Sequence, residues 1–94
     1  MRYENEYYRW IVSRGVGAND RVASSPDSYL LYLRTIERIL DIEIAPGTLG
    51  SDTDMLAIVS RLKGKRAGKT IQNYRSAMSQ YVAMVAARGL VGFS

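Results

Sequence analysis

Apolar residues recur along this chain at intervals of three and four, the spacing of one face of an α-helix, and they do so in four separate stretches. The first runs from about Glu4 to Arg14, with Tyr7, Trp10 and Ile11 as its stripe. Glu4 and Glu6 in its first turn and Arg14 near its end suit the helix dipole. Gly15 and Gly17 are expected to stop it, and residues 15–24 to form a loop. The second stretch opens on Ser25 as N-cap and Pro26 at the first helical position, where a missing N–H costs nothing. Its stripe is Tyr29, Leu33, Ile36 and Leu40, widened by Leu30 and Ile39, and it runs to Asp41. A turn-rich connection around Pro46-Gly47 follows, within which Ile42–Ala45 is the only short strand candidate. Ser51-Asp52-Thr53-Asp54 has the form of a capping box with a shorter acid at its fourth position. It predicts a third helix ending near Lys63, with Met55, Leu56, Val59 and Leu62 on its buried face. The fourth helix is expected from about Thr70, as its cap, to Arg88, on the stripe Ile71, Tyr74, Met78, Tyr81 and Val85. Gly89 is its C′ residue and Leu90 the accompanying apolar contact.

This pattern predicts an all-α, compact domain of four to five helices occupying residues 1–94. Its expected core is Trp10, Leu33, Ile36, Leu40, Leu56, Val59, Tyr74, Met78, Tyr81 and Val85. No apolar run approaches the roughly 20 residues of a membrane span, and Met1–Glu6 holds no signal-peptide apolar region. The chain has no cysteine, which excludes disulfides and thiolate chemistry and fits a cytoplasmic setting. It has no histidine either, so imidazole acid–base chemistry is excluded and a zinc site would need carboxylates alone. Asp52 and Asp54 are explained as helix-start residues, and no carboxylate pair suggests catalysis. The reading therefore includes no catalytic residue, metal or cofactor.

Charge changes the picture. All nine acids lie at or before Asp54, and with six basic residues there, residues 1–54 sum to −3. Residues 55–94 hold seven basic residues and no acid, a sum of +7. Such asymmetry points to an anionic partner. Its densest part is Arg61 to Thr70, with five basic residues in ten positions. Gly64 and Gly68 permit close backbone approach, and the segment leads into a helix N-terminus, where free N–H groups and the dipole favour an anion. Lys/Arg charge beside accessible amides is the chemistry of phosphate contact. The expected nucleic-acid contacts are Arg61, Lys63, Lys65, Arg66, Lys69, Thr70, Gln72 and Arg75, the last two on an exposed face of the fourth helix shared with Ser76 and Ser79. A solvated basic loop is the plainer alternative. Gly68-Lys69-Thr70 also ends like a phosphate-binding P-loop, but the position of its first glycine is Lys63 and the preceding element is a helix rather than a strand, so nucleotide hydrolysis is not expected. Of seven tyrosines, Tyr29, Tyr74 and Tyr81 fall on apolar stripes, whereas Tyr3, Tyr8 and Tyr32 are open to base stacking or a protein interface, and their place in the acidic half favours an interface or plain surface.

Residues 69–82, Lys-Thr-Ile-Gln-Asn-Tyr-Arg-Ser-Ala-Met-Ser-Gln-Tyr-Val, resemble a helix of the SAM-like core-binding domain of tyrosine recombinases. They are also similar to helical domains placed ahead of restriction-type nucleases. Thr70, Tyr74, Ala77 and Tyr81 carry the likeness, and Ser28-Tyr29-Leu-Leu-Tyr-Leu fits an earlier helix of such a domain. The resemblance implies a helical DNA-clamping module whose catalysis lies elsewhere. No recombinase catalytic region is present, so Tyr74 is not read as a nucleophile. The expectation is thus a non-catalytic nucleic-acid-binding module, DNA favoured. The rival is a small phage or mobile-element inhibitor that binds a host nuclease or CRISPR complex. Met78 provides the first test: Met78→Asp buries an unpaired charge in the longest stripe and should cost about 4 kcal/mol or more, leaving no cooperative melt. An unchanged melting temperature would refute the assigned stripe.

Overall fold

The computed structural model describes residues 1–14 and 26–90. It contains four helices: α1 (Glu4–Ser13), α2 (Pro26–Leu40), α3 (Asp52–Leu62) and α4 (Gly68–Arg88). Among the described residues there is no strand, and Ile42–Ala45 is irregular chain. The expected Ser25 cap, the stop at Gly15 and Gly17 and the 15–24 loop lie outside the described residues. α4 is the axis of the fold and touches each of the other three helices. Its buried residues are Ile71, Tyr74, Ala77, Met78, Tyr81, Met84 and Val85, a broad arc rather than a narrow stripe. A helix with three neighbours needs that width.

α1 and α2 run antiparallel. The Met1 ammonium lies 3.1 Å from Glu37, and Arg34 meets Glu4 with two parallel N–H bonds of 3.2 and 2.6 Å. That hydrogen bond, and then the Glu4 charge, raise the Arg34 pKa above its ordinary value. α1 joins α4 through tyrosines. The Tyr7 hydroxyl donates to the Ala77 carbonyl at 2.8 Å inside the core, and the Tyr81 hydroxyl donates to the Arg2 carbonyl at 2.8 Å. The two rings lie 5.6 Å apart. Both side chains are fully buried, so each hydroxyl needs a partner and has one. Tyr3, the N-cap of α1, takes a left-handed φ of 60°, uncommon for a bulky residue.

The connection from α2 to α3 is more than a turn. Asp41 ends α2 at φ 53°, a conformation its short polar side chain tolerates. Ile44 and Leu49 then plug fully into the core. A β-carbon at Gly50 would collide with the Pro46 carbonyl oxygen, so this turn requires glycine. Ser51 caps α3 by accepting the Asp54 N–H at 3.2 Å, as expected. The Asp54 carboxylate reaches back one residue further than a capping box, to the Gly50 N–H at 2.9 Å. Gly89, at φ 65°, ends α4, and the Leu90 N–H donates to the Val85 carbonyl.

Three expectations are corrected. Leu56 is 53% exposed and Ile58 is buried instead, because Met55, Ile58, Val59 and Leu62 complete the spacing that faces α4 while Leu56 falls a turn-fraction outside it. Trp10 is half-buried at the rim, its indole N–H donating to Gln80 Oε1 at 3.1 Å. Thr70 is not the α4 cap: the helix starts at Gly68 with Ala67 as N-cap and no side-chain cap bond. The Lys65 and Arg66 N–H groups both turn back to the Leu62 carbonyl, which leaves Ala67 extended and starts the helix early.

Burial raises the pKa of Tyr7, with the nearby Tyr29 hydroxyl adding to it. Burial likewise raises Tyr81, helped by Tyr3, Glu37 and Glu43 and opposed by Arg2. Above about pH 10 the unfolded chain therefore loses these two protons while the folded chain keeps them. Stability from this source is complete below that pH and falls above it, by up to about 1.4 kcal/mol per pH unit for each tyrosine. Urea denaturation above and below pH 10 should show the loss, and the Tyr7→Phe/Tyr81→Phe double variant should show a shallower one. Equal slopes in parent and variant would refute the assignment.

Candidate nucleic-acid interface

The turn between α3 and α4 is tight, and its cations are exposed. Lys63 caps the end of α3, Gly64 takes φ 92°, and Lys65 and Arg66 follow. The left-handed Gly64 backbone reverses the chain, a conformation strained for any residue with a β-carbon. Lys63, Lys65, Arg66, Lys69 and Arg75 are all exposed, and none forms an ion pair among the described residues. The Arg66 guanidinium only curls back to the Lys65 carbonyl at 2.7 Å. By contrast, Glu4, Glu37 and Glu43 in the acidic half each face a cation.

The start of α4 concentrates this positive field. Its first turn holds no acid, and the Ala67 side chain has no oxygen with which to cap it. The first return bond is from the Ile71 N–H to the Ala67 carbonyl, so the amides of Gly68, Lys69 and Thr70 precede the ladder. Cations at a helix N-terminus have the wrong sign for helix stability. The same arrangement has the right sign for holding an anion.

Along α4, two concavities lie against α3. The smaller, about 420 Å³, is lined by Lys63, Ser60, Leu56, Gly68, Gln72 and Arg75 over a floor of Val59 and Ile71. The larger, about 720 Å³, shares Leu56, Gln72 and Arg75 and continues past Ser76 and Ser79 to Gln80, with Tyr29 and Asp52 also on its wall. Of the residues expected as nucleic-acid contacts, Lys63, Gln72 and Arg75 thus meet at one surface. Lys65, Arg66 and Lys69 cluster at the exposed start of α4, outside both concavities, and Thr70 is half-buried. Arg61 lies apart: its guanidinium reaches the Leu40 carbonyl at the end of α2, 3.4 Å away.

The tyrosines considered for a protein interface divide as well. Tyr3 and Tyr8 are each 38% exposed on the α1 side. Tyr32 is half-buried, its ring 6.2 Å from Tyr29 and 5.7 Å from Tyr74. A further cationic group escaped the sequence reading. The Arg14 and Arg88 guanidiniums sit 4.9 and 5.8 Å from the centre of the Trp10 ring. The spacing of Trp10 and Arg14 by one helical turn is visible in the sequence, but nothing in it brings Arg88 to the same indole.

Among the described residues no group of three Asp or Glu side chains converges as a metal site, and no helix is long and apolar enough to cross a membrane. No family model matches the chain, and neither a curated protein nor a solved structure matches it. The electrostatics yield a direct expectation. Replacing Lys65, Arg66 and Lys69 together by alanine removes wrong-sign charges from the α4 start, so stability should stay constant or rise by about 0.5 kcal/mol. A thermal or urea melt showing a loss above about 1 kcal/mol would mean that these cations hold the fold together.

Proposed function

We propose that this chain is a non-catalytic nucleic-acid-binding module that takes phosphates on the α3–α4 turn and the start of α4. The observation that carries the reading is the set of five exposed cations without an ion-pair partner among the described residues: Lys63, Lys65, Arg66 and Lys69 on the turn into a helix N-terminus that has no acid and no side-chain cap, and Arg75 two turns along that helix. Lys65, Arg66, Lys69 and the leading amides of α4 are the phosphate contacts. Lys63, Gln72 and Arg75 extend them along α4. Arg61, turned toward α2, contributes to the field and not to the contact. The resemblance of residues 69–82 to the recombinase core-binding helix favours DNA, with cleavage chemistry supplied elsewhere.

One observation favours a second reading, that of a protein inhibitor of a nuclease or CRISPR complex. Tyr3, Tyr8, Val12 and Leu31 are exposed apolar side chains on α1 and α2, away from the basic turn. Rigid exposed tyrosines are suited to a protein interface. This reading expects tight, weakly salt-dependent binding to one protein, lost on changing Tyr3 or Tyr8.

Salt separates the two. If about four phosphates are neutralised, log K for duplex DNA falls with log salt at a slope of about −3 to −4, or roughly a hundredfold in affinity over a fourfold rise in salt. The Lys65→Ala/Arg66→Ala/Lys69→Ala variant should bring the slope near −1 and weaken binding to all sequences alike. A titration against random-sequence duplex and single strands at two salt concentrations measures both. Absence of binding at low salt would overturn the nucleic-acid reading and leave the protein-partner one.

A further inference from the structure

We infer that the preferred nucleic acid is a single strand laid along α4, running from the basic turn to the Arg14–Arg88 pair, and not a duplex. The inference rests on the nucleic-acid reading above and specifies its substrate. Shape decides first. A helix reads a duplex by entering a major groove about 12 Å wide, which one helix of 10–12 Å diameter already fills. α4 does not protrude in that way. Its exposed residues Gln72 and Arg75 share their surface with Leu56 of α3, and helices packed about 8–10 Å apart present a face roughly 20 Å wide. Such a face stays out of the groove. Instead the polar side of α4 lines two adjoining hollows of about 420 and 720 Å³, within the range that accommodates small organic ligands such as a nucleoside.

The lining chemistry agrees. The side chains of Gln72, Arg75 and Ser79 make no intramolecular hydrogen bond among the described residues. An amide, a guanidinium and a hydroxyl are partners for the Watson–Crick edges of bases, which a single strand exposes and base pairing in a duplex occupies. Leu56, 53% exposed between the hollows, offers an apolar surface to a base face. Asp52 stands on the wall of the larger hollow, so a phosphate backbone there must keep to the opposite rim.

Both ends of the track are cationic. At the near end lie Lys65, Arg66 and Lys69. At the far end Gln80, which lines the larger hollow, accepts the Trp10 indole N–H, and Arg14 and Arg88 flank that indole. The 21 residues of α4 span about 30 Å at 1.5 Å per residue. At the stacked rise of 3.4 Å that length holds at most about nine nucleotides.

The test is fluorescence anisotropy at low salt with a labelled mixed-sequence strand of about ten nucleotides, alone and annealed to its complement. The strand should bind at least about tenfold tighter than the duplex. Leu56→Glu and Gln72→Ala, both at exposed positions, should each weaken strand binding about fivefold, and Asp52→Asn should strengthen it about twofold. Arg14→Ala/Arg88→Ala should also weaken the strand about fivefold, and Trp10, the chain's one tryptophan, should change its emission as the strand is added to the parent. Duplex binding as tight as the strand's, still reduced by the Lys65/Arg66/Lys69 variant, would overturn this inference and leave the nucleic-acid reading standing. Parent-like strand affinity in Arg14→Ala/Arg88→Ala would overturn the proposed path. Binding of neither probe would remove the underlying reading itself.

Discussion

α4 has to satisfy three neighbours at once, and the rest of the molecule follows from how it does so. Ile71, Tyr74, Ala77, Met78, Tyr81, Met84 and Val85 together cover nearly half of its circumference with buried surface. One buried contact is polar: the Tyr7 hydroxyl donates to the Ala77 carbonyl in the middle of the helix. A buried hydroxyl without a partner costs about 1–3 kcal/mol, so this bond sets the register of α1 against α4 as well as adding to stability. The same constraint defines what α4 has left. Between its two ends the strip through Gln72, Arg75, Ser76 and Ser79 remains exposed, and α3 flanks that strip. The surface available for function is therefore shallow and concave.

Charge follows the same division. The acidic half commits several carboxylates to partners within the chain, with Glu4 on Arg34 and Glu37 on both the Met1 ammonium and the Ile44 N–H. The basic half uses its cations for no ion pair among the described residues. Lys69 near the positive end of a helix dipole, with Arg66 just ahead of it, slightly opposes folding. A sequence optimised for stability alone would place an acid there, as it does at Asp52 and Asp54 in α3. That contrast between two helices of one small chain is the physical ground for proposing an anionic partner at the α4 start.

Much of the fold was legible because its signals are local. The Ser51 cap, the Gly89 stop and the α4 stripe each depend on residues within a turn or two of one another. Legibility ended where a neighbour decides. Leu56 and Ile58 are equally apolar, and only the position of α3 against α4 turns one outward and the other inward. Trp10 has the side chain of a core residue but lies at the rim, held by Gln80 from seventy positions away. Ile44 and Leu49 look like parts of a turn and are fully buried. Thr70 is a sound cap by type, yet the Leu62 carbonyl closes the preceding turn and moves the helix start to Gly68. The site divides similarly. Its basic turn is contiguous in sequence and was readable there, whereas the hollows beside Leu56 and the meeting of Arg14 with Arg88 exist only once the helices pack.

The central claim is that the exposed strip and leading turn of α4 form the surface that meets nucleic acid. Amide chemical shifts recorded by NMR during titration with a short oligonucleotide test it most directly. The account predicts that the largest changes fall on the amides of Lys65 to Thr70 and on Gln72 to Gln80, with Tyr3 and Tyr8 unmoved. Shifts centred on α1 and Leu31, or none at all at low salt, would contradict it.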